Sequence, residues 1–258
     1  YNTKREWTDF DRKTTGGDLK LRVPLTEDLS SFFIYRYEDK EITDVDEDAS
    51  DLIKDQEGKS TLSSFTASLT RNTTDYRPDP TRGNISDLSI EYAGLGGTEK
   101  FIKYLADHRY FYPLPWGLVF SVHGRIGYIQ EMDGKDSPLD ERFFLGGMNS
   151  LRGFNSREVG PRDEETGDFY GGNKEAYFNF EVSFPLVKAM KMKGIVFFDT
   201  GNAWDTEEDF FSEMRYSTGV GMAWNSPMGP LRFAWGYNLD PKDYEDTSVF
   251  DFSVGKMF

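Results

Sequence analysis

The chain has 258 residues, enough for one large domain or two small ones, and its formal net charge of −15 excludes a general nucleic-acid surface, which is basic. Only 37% of the residues are hydrophobic while 16% are aromatic, and no apolar run approaches the length of a membrane helix. A membrane β-strand is not excluded, because it needs only about ten residues with every second one apolar.

There is no cysteine, so no disulfide framework is expected. The opening stretch from Tyr1 to Glu6 is polar and leads into no apolar segment. It does not read as a signal peptide, and the sequence reads as a mature chain or a fragment.

Along the chain the hydrophobic period is two. It predicts about twelve strands, over residues 1–12, 17–25, 29–43, 59–72, 84–94, 99–112, 116–132, 173–186, 191–204, 214–225, 229–239 and 247–258, the first being the weakest. In the seventh, Leu118, Phe120, Val122, Ile126 and Tyr128 alternate with Ser121, His123, Arg125 and Gly127. In the tenth, Tyr216, Val220 and Trp224 alternate with Ser217, Gly219 and Ala223. In the last, Phe250, Phe252, Val254 and Phe258 oppose Asp251, Ser253 and Gly255. A water-facing sandwich surface would hold long charged residues on its polar face. Here that face is often Gly, Ser or Ala, which suits a crowded lumen, and the aromatic face suits lipid with interfacial girdles.

The connections alternate. Short ones are expected at 24–28, 113–116, 185–190 and 225–230, with 73–83 somewhat longer. Long ones are expected at 39–58, 133–172, 202–213 and 239–246, with 11–16 and 94–98 as short members of that set. An outer-membrane barrel with short periplasmic turns and long external loops has this pattern. The predicted fold is therefore all-β, an antiparallel transmembrane barrel of about 12 strands over residues 1–258, and it must close or pair its edges because lipid cannot.

Loop 133–172 contains FFLGGMNSLRGF, from Phe143 to Phe154, with one charge, Arg152. A phosphate loop is excluded, since the following Lys-Ser/Thr is missing. The glycines, including Gly146 and Gly147, and the apolar residues suggest an ordered loop folded into the lumen. A buried Arg152 would need carboxylates. Parity turns Glu181 and Asp199 inward on adjacent strands, where both could reach one guanidinium. Alternatively, each is an ordinary hydrated lumen charge.

This loop resembles the sixth-loop motif of the BamA/TamA-type outer-membrane assembly factors, with Leu151, Arg152, Gly153 and Phe154 at its centre. The resemblance extends in order through Pro80-Thr-Arg-Gly83, Gly171-Gly172, Glu181-Val-Ser-Phe-Pro185, Phe197-Phe-Asp-Thr-Gly201 with Asn202 and Trp204, Gly219-Val-Gly221 with Trp224, and Gly229-Pro230. It implies that Arg152 pairs with Glu181 and Asp199. It also implies residence in the outer membrane among its lipids, and insertion of unfolded outer-membrane protein clients without a cofactor. Accessory periplasmic lipoproteins would bind through POTRA domains. Aligned from its C-terminus, the chain matches the last twelve of sixteen strands, so the first four strands and the POTRA domains are expected upstream. Phe250, Phe252, Val254 and Phe258 also look like a β-signal, the C-terminal aromatic pattern of barrel clients.

Other readings are a polypeptide-secretion channel, a cousin with a similar loop, or a passive pore. Ser121 and His123 share a face, but no nucleophile motif surrounds them, so no enzyme is expected. The acidic stretch 38–57 lacks an EF-hand's spacing and reads as a solvated external loop, with no metal expected.

Overall fold

The computed structural model describes residues 2–6, 11–45, 54–226 and 229–255, with backbone alone for 2–6 and 11. Twelve strands form one antiparallel sheet in sequence order: β1 (Asn2–Glu6), β2 (Asp11–Pro24), β3 (Leu29–Thr43), β4 (Gly58–Asn72), β5 (Gly83–Ala93), β6 (Phe101–Pro113), β7 (Val119–Glu131), β8 (Lys174–Val187), β9 (Met192–Trp204), β10 (Arg215–Ser226), β11 (Gly229–Asn238) and β12 (Ser248–Val254). Among the described residues no ladder joins β1 to β12.

The sheet curls into a barrel whose convex face is aromatic and aliphatic. Phe250, Phe252 and Val254 of β12 are 63 to 67% exposed, with Trp235, Val220, Val196 and Leu88 likewise turned out. Outward rings meet across neighbouring strands, as in Phe180–Phe198–Tyr216, whose successive centroids lie 6.3 and 6.2 Å apart, and Phe233–Phe250 at 6.4 Å. In water so much exposed apolar surface would be a liability, whereas in lipid it is the solvated face. The concave face holds small or paired polar groups: Ser217 and Asp199 are fully buried, and Ala223 and Ala234 nearly so.

Two local expectations are corrected. The first turn is not at 11–16, because β2 runs unbroken through Gly16 and Gly17 and pairs with β3 from Asp11↔Thr43 to Pro24↔Ser30. Gly16 marks a close approach instead: a Cβ there would lie 2.3 Å from the Tyr37 carbonyl oxygen. The seventh strand starts at Val119 rather than 116, since Pro115–Gly117 form a 3-10 turn with Trp116 at φ 63°, 91% exposed.

The turn between β4 and β5 is built around Asp75. Its carboxylate accepts from the backbone N–H groups of Tyr76, Thr81 and Arg82, and from the Thr81 hydroxyl at 2.6 Å. This turn reaches across the mouth of the barrel. Pro80 is buried, and Asp79 Oδ1 meets Lys193 Nζ of β9 at 2.5 Å.

Candidate functional site: a loop locked in the lumen

The segment joining β7 to β8 folds inward as a small ladder, with antiparallel bridges Phe143↔Gly172 and Leu145↔Val159. Phe143, Leu145, Leu151, Phe154 and Val159 are buried against Leu62, Phe101, Ile129 and Tyr177 of the walls. Burying each such large side chain stabilises the inserted loop by about 1.5–3 kcal/mol.

The tip is shaped by Gly146 and Gly147. Gly146 has φ +107°, and a Cβ on it would lie 2.1 Å from the Asn155 carbonyl oxygen, so no other residue fits. Gly146 N donates to Ser150 Oγ at 2.9 Å and Gly147 N to the Phe154 carbonyl at 3.0 Å. Asn179 of β8 donates to the Ser150 carbonyl at 2.6 Å. These bonds present Leu151–Phe154 to the wall.

Arg152 is 4% exposed. Its Nε and Nη2 donate to the two oxygens of Asp199, each at 2.8 Å, and its backbone N–H donates to the same carboxylate at 3.1 Å. Its Nη1 donates to Glu181 Oε2 at 2.8 Å. The guanidinium lies 3.7 Å from the centroid of the Phe197 ring. Arg232 of β11 donates to the same Glu181 oxygen at 3.1 Å. Two buried carboxylates thus face two guanidiniums. Such a group tolerates burial because its geometry is two-pronged and its hydrogen bonds are made. Register explains the convergence: Asp199 sits opposite Asn179 in the β8–β9 ladder, so Glu181 is its diagonal neighbour on the same face.

A second anchor of opposite sign was not expected from the sequence. Asp140 of the loop meets Lys40 of β3 at 2.7 Å and Arg12 of β2 at 2.9 Å. Glu141 meets Arg36 of β3 at 2.8 Å and Lys103 of β6 at 3.1 Å. Burial pushes both carboxyls up, but Lys40 and Arg12 beside Asp140, and Lys103 and Arg36 beside Glu141, hold them below the ordinary carboxylate range. The loop therefore spans the lumen as a strut between β2–β3 and β8–β9.

The remaining sequence candidates fall as follows. Phe250, Phe252 and Val254 face outward, while Phe258 lies outside the described residues. His123 lies 2.9 Å from Asp107 and edge-on to Tyr177, and no hydrogen bond joins it to Ser121 among the described residues. Glu38 is not part of a solvated loop. It is buried in β3 at 3.9 Å from both Arg36 and Lys40. Residues 46–53 of the acidic stretch lie outside the described residues.

Phe197 and Gly236 were missed as site residues. Phe197 shares the inward parity of Asp199, two positions away, and that parity could have found it. Gly236 had no such signal, because its role arises only where the loop meets β11.

Comparison with known proteins identifies the family of the fold. The Omp85 superfamily domain matches residues 1–258. The outer membrane protein assembly factor BamA of Nitratidesulfovibrio vulgaris is 36% identical over 264 aligned residues, covering 100% of this chain and 33% of that protein. The chain thus spans about a third of the length of that curated relative. The crystal structure of BamA from Haemophilus ducreyi lacking POTRA domains 1–3 superposes with TM-score 0.85 at 21% identity, covering 97% of this chain and 56% of that one. CdiB from Escherichia coli superposes less closely, with TM-score 0.64 at 14% identity, covering 94% and 45%. With the match running from its first residue to its last, the chain belongs to the Omp85 superfamily.

Proposed function

We propose that this barrel serves the assembly of β-barrel proteins into the outer membrane, as the wall and plug of a longer assembly factor. The observation that carries this reading is the locked loop. Arg152 is held by both Asp199 oxygens and by Glu181, and Asp79 bridges to Lys193 at the opposite mouth. A lumen filled in this way is a poor conduit, so useful work falls to the wall.

In the longer barrel the upstream strands would adjoin β12, which is seven residues long. A seam closed by so short a strand has few ladder bonds, and an incoming strand can add there by backbone hydrogen bonding. Unfolded outer-membrane proteins are the proposed clients, and outer-membrane lipids are the surrounding solvent. Accessory periplasmic lipoproteins would act through POTRA domains upstream.

The test is to place the protein in liposomes and follow folding of a urea-unfolded outer-membrane protein. Faster client folding than in empty liposomes supports assembly. Stable channels without faster folding would instead indicate a pore or secretion channel.

A further inference from the structure

Beneath the loop tip the lumen keeps a cavity of about 430 Å³ that extends from β6 to β12. Arg109 of β6, Arg125 of β7, Arg232 of β11 and Arg152 of the loop line it, with His123, against one lining carboxylate, Glu181. Behind this lining Asp107, Glu175 and Asp199 stand against the same guanidiniums.

Two of these carboxylates, Asp107 and Glu181, are shared between cations. Asp107 lies 2.9 Å from His123, 3.5 Å from Arg109 and 3.7 Å from Arg125. Glu181 is divided between Arg152 and Arg232, and Glu175 stands 3.6 Å from Arg125. Arg109 Nε and Arg125 Nε are consequently buried with no hydrogen-bond partner among the described residues. A guanidinium cannot shed its proton to escape this, and unmade buried donors are costly. A compact group with many acceptor oxygens would satisfy these donors.

We propose that this cavity binds an oxyanion of the phosphate class, held between Arg109, Arg125 and Arg232. A phosphate group presents several strong acceptors that suit the planar fork of arginine, and the volume admits it with room to spare. Its source is either free inorganic phosphate or the phosphomonoester of a lipid headgroup entering beside Ser253 of β12, which also lines the cavity. The cavity shares Arg152 and Glu181 with the locked loop, but the proposal asks of them only that they line it, so its test reads phosphate binding and not client folding.

The experiment titrates inorganic phosphate into the micelle-embedded protein at neutral pH, with chloride as the control at equal ionic strength, and reads the thermal unfolding temperature. Saturable stabilisation by phosphate is expected. Arg109→Gln should weaken the apparent affinity about tenfold or more, the worth of one charge-assisted hydrogen bond. A shift that follows ionic strength alone, or that Arg109→Gln leaves unchanged, overturns the proposal. Equilibrium dialysis of radiolabelled phosphate against the unsubstituted protein reads the site without any variant: about one phosphate per chain supports it, and none, with no lipid-linked monoester in the released material, overturns it. Phosphorus NMR of material released by denaturing membrane-extracted protein then separates the sources. An inorganic signal marks the free ion, and a lipid-linked monoester marks the headgroup.

Discussion

Gly236 of β11 and Gly153 of the loop meet backbone to backbone. A Cβ on Gly236 would stand 2.4 Å from Gly153 N and 2.5 Å from Gly153 Cα, and Gly153 itself sits at φ +88°. The pair lets the arginine loop lie flat against the wall, directly beside the Arg152 lock. Gly236→Ala is expected to lift the loop and destabilise the barrel by about 1–3 kcal/mol, the usual cost of overpacking. Limited trypsin digestion at the buried Arg152 reports the lifted loop. Unchanged protection would show that the contact yields freely.

Arg152→Ala leaves Asp199 buried without its partner. Breaking a buried pair from one side costs about 3–5 kcal/mol, to be read as a lower urea midpoint for barrel unfolding. Arg152→Lys keeps the charge but loses the two-pronged geometry and the stacking on Phe197, so its midpoint should fall between the two. In a double-mutant cycle with Asp199→Asn, the effects should be strongly less than additive. Additive effects would mean that the two residues act apart.

The Asp79–Lys193 bridge ties the β4–β5 turn to β9 at the mouth opposite the loop, so Asp79→Lys should free the turn and raise single-channel conductance in planar bilayers. Adding Lys193→Asp should restore the quiet state by reversing the pair. Conductance that ignores both changes would show that the turn does not seal the barrel.

Asp75 supplies a pH dependence at the same turn. Burial works against its charged form, but the hydrogen bonds from Thr81, Arg82 and Tyr76 bring its carboxyl down from an ordinary 3.8 to about 2. A carboxyl lowered by folding stabilises the fold above its unfolded value, and the contribution is lost as pH falls through the folded value. The turn should therefore hold at pH 4 and loosen as pH approaches about 2. The carbon-13 shift of the Asp75 carboxyl should titrate near the lower value, and a midpoint at the ordinary value would contradict this.

Much of the architecture was legible in the sequence, because a barrel wall writes its two faces into alternate residues. In β11, Leu231, Phe233, Trp235 and Tyr237 were readable as outward and Arg232 as inward. The same parity turned Glu181 and Asp199 into the lumen. What parity cannot give is tertiary register. The stretch 11–16 reads as a connection, yet the strand runs through it in an unbroken ladder with β3, and Gly16 is small because the Tyr37 carbonyl lies too close for a side chain. Asp140 and Glu141 carry no mark in the sequence, and only the inward fold brings them to Arg12, Lys40, Arg36 and Lys103. Gly236 is one small inward residue among several until the loop is laid against it.

The measurement that bears most directly on the proposed role is client folding in liposomes with the parent protein beside Arg152→Ala, matched for the fraction of barrel folded. The expected result is that the parent accelerates folding of a urea-unfolded outer-membrane protein and the variant loses that acceleration. Equal acceleration by both would point to general disturbance of the bilayer and would contradict a working role for the locked loop.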